Sequence, residues 1–278
     1  MAHPIVVGVT SAPASHRAVE WGAKRAAAHR LPLKLIEVVG GAIGAVGEDA
    51  VLDHAVAEAR ERVEAEASAL PRLGLKVLMR VDRGNPVAVL TDASSHASLL
   101  VIGSDYEGPG GRTRGAHGMR IAAGAHCPVV VVPDVDVSGR SGVVVGVDGS
   151  PVSEKAVAFA AAEADRLGEP LIAVSVWTPL EAPRNMGVYP VEYLDNMEKL
   201  TEEAQAVALA GLRGQYPDLE IVAKVQRGYP SQVINELAAS ARLAVVGSHG
   251  RGALARFLLG SISHEVLARL ATVTAVVR

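Results

Sequence analysis

The sequence predicts an α/β protein with two tandem, doubly wound domains, each containing a five-stranded parallel sheet. Three observations predict this class. The 278-residue chain repeats itself with a period of about half its length. Short Val-rich runs, such as residues 129–132 and 143–145, are typical of strands buried on both faces. Segments with near-helical apolar spacing alternate with these runs, which favours helices on both faces of a parallel sheet.

Matching segments locate the two domains. Residues 7–13 (VGVTSAP) match 145–151 (VGVDGSP), 83–86 (RGNP) match 227–230 (RGYP), and 100–103 (LVIG) match 244–247 (AVVG). A solenoid repeat would be far shorter, so each copy is expected to be a full domain. The polar connector at 133–140 separates two Val-rich runs. We therefore expect domain 1 at residues 1–134 and domain 2 at residues 141–278.

The order of elements in each copy is strand, helix, strand, helix, strand, helix, strand, loop, helix, strand. In domain 2 the strands are predicted at 143–148, 171–177, 220–226, 243–247 and 273–277. The first helix of domain 2 should begin at Ser150-Pro151, because serine is a good N-cap and proline suits the first helical position. The later helices of domain 2 are predicted at 192–212, 230–241 and 261–271.

Composition narrows the class of protein. Hydrophobic residues make up 49% of the chain, charged residues 21%, and the formal net charge is −3. This balance argues against a strongly basic nucleic-acid binder, and the apolar runs are far shorter than the roughly 20 residues that span a bilayer. The first strand begins at residue 5 with no charged leader before it, and the single cysteine, Cys127, cannot form an internal disulfide. We predict a cytoplasmic protein with no membrane span.

The strongest functional signal is a glycine-rich loop in domain 2. Gly247 ends the fourth strand and Gly250 follows it, and after nine intervening residues Gly260-Ser261 begin the last helix. Free amides at a helix start, together with the macrodipole, attract phosphate. The hydroxyls of Ser261 and Ser263 add donors, and Arg251 and Arg256 add positive charge to the intervening segment. The turn Asp148-Gly149-Ser150 should converge on the same edge of the sheet.

Domain 1 departs from this pattern where a ligand would lie. Thr10 replaces the aspartate, Tyr106 stands where the second loop glycine would be, and Ala116 and Gly118 replace the two serines. The segment before Gly115 is also one residue shorter. We expect domain 1 to have lost normal ATP binding and to serve as a packing partner. The glycines of its loop leave the alternative that it binds something else in another register.

These motifs resemble the universal stress proteins in their tandem two-domain form. The resemblance rests on residues 145–150, 245–252 and 260–263, and it covers essentially the whole chain. It implies a flavodoxin-like or Rossmann-like fold, and ATP held by a Gly-2x-Gly-9x-Gly-Ser/Thr pattern. A divalent cation, Mg²⁺ or Mn²⁺, bridging the phosphates would fit, although no metal-ligand cluster is visible.

The resemblance also implies a set of ATP contacts in domain 2. Asp148 should lie beside the nucleoside, Val176 should line the adenine pocket, and Val246 should flank it. The expected set is Gly146, Val147, Asp148, Val176, Val246, Gly247, Ser248, Gly250, Arg251, Gly260, Ser261 and Ile262. We expect neither a catalytic residue nor a protein-held metal, and His249 is interpreted as a turn residue.

Three functional hypotheses follow. The leading one is an ATP-binding stress or dormancy regulator, in which nucleotide occupancy of domain 2 controls a conformation or a regulatory protein partner. The second is a slow ATPase or a nucleotide-dependent transferase, and the third is a nucleotide-free interaction module. A further alternative is that the site binds a different adenine nucleotide, such as cyclic AMP. The two domains are expected to pack as a pseudo-dimer through residues 128–132 and 273–277, and whole chains could form a homodimer.

Overall fold

A computed structural model describes residues 3–40, 48–71, 73–104, 117–179, 191–250 and 259–278. The chain divides into two compact units, Met1–Val135 and Asp136–Arg278, here called unit 1 and unit 2. The described elements of unit 1 are β1 Ile5–Val9, α1 Pro13–His29, β2 Leu33–Val39, α2 Glu48–Ala69, β3 Val77–Arg83, α3 Pro86–Ser94, β4 Leu99–Gly103, α4 His117–Gly124 and β5 Val129–Val132.

Unit 2 repeats this order with one additional short helix. Its described elements are β6 Val143–Gly146, α5 Pro151–Leu167, β7 Leu171–Trp177, α6 Val191–Leu209, α7 Leu212–Gln215, β8 Ile221–Arg227, α8 Pro230–Ala238, β9 Leu243–Gly247, α9 Ser261–Arg269 and β10 Val273–Val277. The predicted N-cap is confirmed, since the Ser150 hydroxyl accepts a hydrogen bond from the Ser153 amide and Pro151 begins α5.

The strands of each unit run parallel and reverse their order once. Within unit 1 they lie in the order β3-β2-β1-β4-β5, and within unit 2 in the order β8-β7-β6-β9-β10. In a right-handed crossover, the direction in which the chain moves to the next strand decides which face of the sheet the connecting helix covers. Helices whose crossovers run in opposite directions therefore lie on opposite faces. Helices α5 and α6 therefore cover one face of the unit 2 sheet, and α8 packs against α9 on the other. The predicted fold class is confirmed.

The core lies along the middle strands of each sheet. All five residues of β1 and the first four of β9 are buried, and Ile5, Leu171 and Leu243 are at most 1% exposed. This is the pattern expected of parallel strands covered by helices on both faces. None of the described helices is both long and apolar enough to cross a bilayer.

Three predicted helices end earlier than their apolar pattern suggested, and the one predicted at 230–241 stops at Ala238. Residues in left-handed conformations end the other two. The helix predicted at 192–212 stops at Leu209, and a short separate helix follows after Gly211, whose φ of +86° no continuing helix adopts. The helix predicted at 261–271 stops at Arg269, because Leu270 takes a left-handed conformation with φ of +41°. Local backbone conformation, which apolar periodicity does not report, sets both ends.

Candidate nucleotide-binding site

The largest cluster of sequence-predicted residues surrounds a cavity of about 450 Å³ in unit 2. It lies at the carboxyl ends of β6, β7 and β9, where the strand order reverses between β6 and β9. Ligands of open parallel sheets gather at this switch point, because the loops there diverge to opposite faces and leave a crevice. The lining residues are Gly146, Val147, Asp148, Ser153, Val174, Val176, Pro230, Ile234, Val246, Gly247, His249, Gly250, Gly260, Ser261, Ile262 and Ser263.

The turn after β6 holds Asp148 at the cavity. The Asp148 amide donates to the Ser153 hydroxyl at 3.1 Å, and its carboxylate Oδ1 accepts from the Ser150 amide at 2.9 Å. Gly149 makes the turn possible with φ of +72°, a region that glycine enters without cost. The Asp148 side chain is exposed. One carboxylate oxygen is thus fixed by the turn, and the other points toward the glycine loop.

Gly250 is the point at which the loop meets this carboxylate. A Cβ atom added there would lie 2.8 Å from Asp148 Oδ2. Any side chain at this position would push the carboxylate aside. Gly247 is similarly confined, since an added Cβ would lie 3.1 Å from Val152 Cγ1 and 3.2 Å from the His249 carbonyl oxygen. The two glycines therefore keep the loop close to the first turn.

Two hydrogen bonds join the start of the loop to the start of α9. The Gly260 amide donates to the Ser248 carbonyl at 2.8 Å, and the Ser263 hydroxyl donates to the Gly247 carbonyl. Helix α9 has no side-chain N-cap. Its first-turn amides are among the donors that an α-helix leaves without intrahelical partners, and they lie at the cavity beside Ser261. This arrangement can bind an anion.

The rest of the cavity has apolar walls. Val147, Val174 and Val246 are at most 6% exposed, and Ile234 of α8 covers the β6 end at 3% exposure. Gly146 permits this approach, since an added Cβ would lie 3.0 Å from Ile234 Cδ1. A cavity with one carboxylate, one amide-rich end and apolar walls suits a ligand with an apolar ring and an anionic tail.

A carboxylate ties together the two helices that border the cavity. Glu265 of α9 accepts hydrogen bonds from the hydroxyls of Tyr229, at 3.2 Å, and Ser231, at 2.5 Å, both at the start of α8. The hydrogen bond to Glu265, and then its negative charge, raise the pKa of Tyr229 above its ordinary value. The link holds Pro230 and Ile262 on opposite borders of the same cavity.

Ten of the twelve sequence-predicted residues line the cavity, and Ser248 is the one described residue of the set that does not. Ser248 is 0% exposed: its amide donates to the Val277 carbonyl at 2.7 Å and its hydroxyl lies 2.8 Å from His249 Nδ1. Ser248 therefore supports the loop from behind and does not face the cavity. Arg251, like Arg256, lies outside the described residues.

Six lining residues were not in the predicted contact set: Ser153, Val174, Pro230, Ile234, His249 and Ser263. Strand alternation could have found Val174, which lies two residues before Val176 and so faces the same side. Ile234 lies one helical turn after Pro230, but no sequence signal shows that α8 covers the cavity. Among the described residues, no group of three or more His, Cys, Asp and Glu side chains could hold a metal ion.

Comparison with known proteins agrees with this architecture. The model of the universal stress protein family matches the chain twice, at residues 1–133 and 140–278. A universal stress protein of Mycobacterium tuberculosis is 34% identical over 293 residues, covering 95% of this chain and 91% of the relative. One of Mycolicibacterium smegmatis is 33% identical over 287 residues, covering 99% and 96%.

Solved structures show the same fold over the whole chain. A universal stress protein of Archaeoglobus fulgidus superposes with a TM-score of 0.67 at 17% identity, covering 99% of this chain and 96% of that one. Two matches to the family model, and relatives that align over more than nine-tenths of both chains, leave one conclusion. The chain is a tandem two-domain member of the universal stress protein family.

Proposed function

We propose that unit 2 binds ATP in the cavity at the β6–β9 switch point, and that occupancy controls a conformation or a partner surface in a stress response. The observation that carries the proposal is the convergence on one cavity of the Asp148 turn, the Gly247–Gly250 loop and the start of α9. The three features come from three separate parts of the chain. Each suits a different part of one nucleotide.

The amide-rich end suits the phosphates. The first turn of α9 directs backbone N–H groups and the positive end of the helix dipole at the cavity. Gly247, Gly250 and Gly260 keep side chains away from this end, and Ser261 adds a hydroxyl donor. These groups bind negative charge without a lysine or arginine among the described lining residues.

The turn after β6 and the apolar walls suit the nucleoside. The Asp148 carboxylate accepts hydrogen bonds, as a ribose hydroxyl would provide, and Val147, Val176 and Val246 offer apolar surface to a base. Mg²⁺ or Mn²⁺ would be held chiefly by phosphate oxygens, which such hard cations prefer. Asp148 is the one acidic residue in the described lining and the candidate to assist.

The burial and hydrogen bonding of the serine hydroxyls near the loop favour a binding role over ATP hydrolysis. Ser248 is fully buried beside His249, so its hydroxyl cannot reach a ligand. The other serines at the cavity are used structurally or face the phosphate end. Persistence of unchanged ATP on the purified protein would support a regulator. Steady turnover that Asp148→Ala abolishes would instead support the slow-ATPase alternative.

Calorimetric titration with ATP tests the proposal. We expect one ATP per chain, and Gly247→Ala should weaken binding about 30-fold, or about 2 kcal/mol, because the added Cβ displaces the loop. Ser261→Ala should weaken it about fivefold through the loss of one hydrogen bond. Gly214→Ala is the matched control, because an added Cβ there meets nothing within 4 Å.

Two results would contradict the proposal. The first is a folded wild-type chain that shows no heat of ATP binding. The second is binding that Gly247→Ala and Gly214→Ala leave equally strong, which would place the nucleotide elsewhere. Mass spectrometry of whatever nucleotide co-purifies with the chain identifies the adenine nucleotide that the site prefers.

A further inference from the structure

Helix α6 carries an apolar seam beside the side that faces the sheet. Its members are spaced by four, three, four and three residues, the a/d pattern of coiled coils, which aligns side chains along one stripe of a helix. Leu200 is 60% exposed and Val207 is 76% exposed, whereas Met197 and Ala204 are half-buried. The residues of this α6 seam are Tyr193, Met197, Leu200, Ala204 and Val207.

A different side of α6 holds the helix in place. Gln205 is 3% exposed, and its Nε2 donates to the carbonyls of Ala173, at 3.1 Å, and Lys224, at 3.0 Å. These hydrogen bonds fix α6 to β7 and β8. At about 3.6 residues per turn, Leu200 and Val207 project roughly 140–160° away from Gln205 around the helix. Their apolar surface therefore contributes little to packing on the sheet.

The α6 seam borders a groove that adjoins the nucleotide cavity. This groove, of about 470 Å³, lies between α6, the end of β7 and the turn after β6. The seam residues that line it are Met197, Leu200 and Ala204. The residues that it shares with the nucleotide cavity are Val147, Asp148 and Val176. A chain segment seated along the seam would therefore lie beside the Asp148 carboxylate.

The equivalent helix of unit 1 uses its apolar side chains differently. Among the residues of α2 whose exposure the structure describes, Val51 is the one exposed large apolar side chain, at 72%. Val56 and Val63 are at most 8% exposed and pack inside unit 1. An exposed apolar seam is thus a property of α6 and not of the fold that the two units share.

The charge of α6 indicates what could cover the seam. The whole chain is nearly balanced, with 30 acidic residues and 27 Lys and Arg residues, whereas α6 has five acidic residues and one basic residue, Lys199. All six are exposed. Two copies of α6 facing each other would bring like charges together, which disfavours a second copy of this chain and favours a basic partner. The acidic residues are Glu192, Asp195, Glu198, Glu202 and Glu203.

We propose that the α6 seam and its groove bind a basic amphipathic helix of a partner protein. The apolar stripe of that helix packs on Leu200 and Val207, and its Lys or Arg side chains pair with Glu203 and Asp148. In this mode of recognition, apolar anchors at helical spacing fill a groove and the flanking charges select the partner.

The partner helix and the nucleotide compete for one group. A basic side chain paired with Asp148 occupies the carboxylate that a ribose hydroxyl would use, so each ligand weakens the binding of the other. This competition rests on the proposed ATP site, whereas the docking of the helix does not.

The probe is a fluorescein-labelled synthetic helix of about five turns, made of leucine and lysine with the leucines at heptad a and d positions. One control peptide has the same composition with its leucines spread around the helix, and the other has glutamate in place of lysine. We expect fluorescence anisotropy to show saturable binding of the probe to the full chain and at least tenfold weaker binding of either control. Absence of saturable binding, or equal affinity for a control peptide, would overturn the proposal.

Two variants of the seam locate the peptide. Leu200→Ser and Val207→Ser should each weaken its binding about tenfold, because each removes an apolar side chain that the complex buries. Both positions are more than half exposed, so both variants should fold. Val51→Ser, at a similarly exposed position of α2, is the matched control and should leave the affinity unchanged. Equal affinities in all three variants would refute docking at α6.

A second copy of the chain is the other occupant to test. Sedimentation should show that Leu200→Ser leaves the oligomeric state of the wild type unchanged. A wild-type dimer that Leu200→Ser dissociates would assign the seam to a second copy and would overturn the proposed partner.

ATP tests the competition. A saturating concentration should weaken peptide binding at least fivefold, because the Asp148 carboxylate is then taken. In Gly247→Ala, which should bind ATP about 30-fold more weakly, an ATP concentration that just saturates the wild type should have little effect. An equal effect of ATP in both chains would show that ATP acts on the peptide itself.

The two proposals can fail separately. Unchanged or tighter peptide binding by a chain that calorimetry shows to be saturated with ATP would contradict the competition. A chain that shows no heat of ATP binding would contradict the proposed function, and Leu200→Ser and Val207→Ser would still decide whether α6 docks the helix.

Discussion

The turn after the first strand has the same hydrogen-bonded frame in the two units but different chemistry at its tip. In unit 1 the Thr10 amide donates to the Ser15 hydroxyl at 2.9 Å, and in unit 2 the Asp148 amide donates to the Ser153 hydroxyl at 3.1 Å. The frame is common to both copies, whereas the carboxylate exists in one. Features shared by the units thus belong to the fold, and features that differ are candidates for function.

The entry to the last helix shows the same division. The Ser248 and Ser104 amides donate to the carbonyls of Val277 and Val132, so the strand ends match. The Ser263 hydroxyl then binds the Gly247 carbonyl, whereas Gly118 in the corresponding position has no hydroxyl. The rest of the unit 1 loop, including Tyr106, Gly115 and Ala116, lies outside the described residues.

The largest expected effect tests whether equivalent glycines have equivalent roles. A Cβ at Gly103 would lie 2.7 Å from backbone atoms of Ala14 and Ser15, which cannot yield as a side chain can. Gly103→Ala should therefore destabilise unit 1 by about 3 kcal/mol, the upper range for overpacking, with ATP affinity unchanged. Denaturant unfolding followed by Trp21 fluorescence, in a Trp177→Phe background, measures the loss. A Gly103→Ala variant that loses ATP affinity but keeps its stability would contradict this difference between the two glycines.

The next effect transfers the unit 1 residue into unit 2. Asp148→Thr retains a side-chain oxygen for the Ser150 amide but removes the charge, and should weaken ATP binding about tenfold. Calorimetry gives the value. Thr10→Asp is the reciprocal variant, and we expect no second ATP to bind, because unit 1 also lacks the loop glycine and both serines. A stoichiometry of two would show that the carboxylate alone separates the units.

The smallest effect concerns acid stability. Glu169 of unit 2 loses solvation, yet hydrogen bonds from Ser141 and Gly142 and the charge of Arg242 together lower its pKa. Leu31 holds the equivalent place in unit 1. A carboxylate with a lowered folded pKa stabilises above its unfolded pKa, near 4.5, and that stability is lost as pH falls through the folded value.

Thermal unfolding of the wild type and of Glu169→Gln checks this expectation. The difference in Tm between them should be a few degrees at pH 7 and should shrink below pH 4.5. Leu31→Ala, at the matching position of unit 1, is the control, since its effect should not depend on pH. A Tm difference that stays constant from pH 7 to pH 3 would assign the Glu169 effect to packing.

The sequence predicted the strands of unit 2 well because each is an apolar run between turn residues. The predictions for Leu171–Trp177, Leu243–Gly247 and Val273–Val277 match the structure at both ends. Apolar periodicity was less informative about helix ends, where Gly211 and Leu270 adopt left-handed conformations. Those conformations depend on single residues and their caps, and not on a repeating pattern.

The candidate site was predictable where local motifs form it and not where tertiary packing does. The spacing of the motifs predicted that Asp148, Gly250 and Gly260 lie at one site, and all three line the cavity. It could not show that the Ser248 side chain is buried away from that cavity. Nor could it place Ile234, because the covering role of α8 depends on the crossover direction of the whole unit.

The hydrogen bond from the Gly260 amide to the Ser248 carbonyl has a consequence for how this family can vary. It holds together the two ends of the chain segment between residues 248 and 260. Lengthening such a loop costs little conformational entropy, about 0.6 kcal/mol for each doubling. We therefore expect insertions there to leave the fold intact while they change the groups that could reach the proposed nucleotide, so specificity can diverge in this segment with little loss of stability.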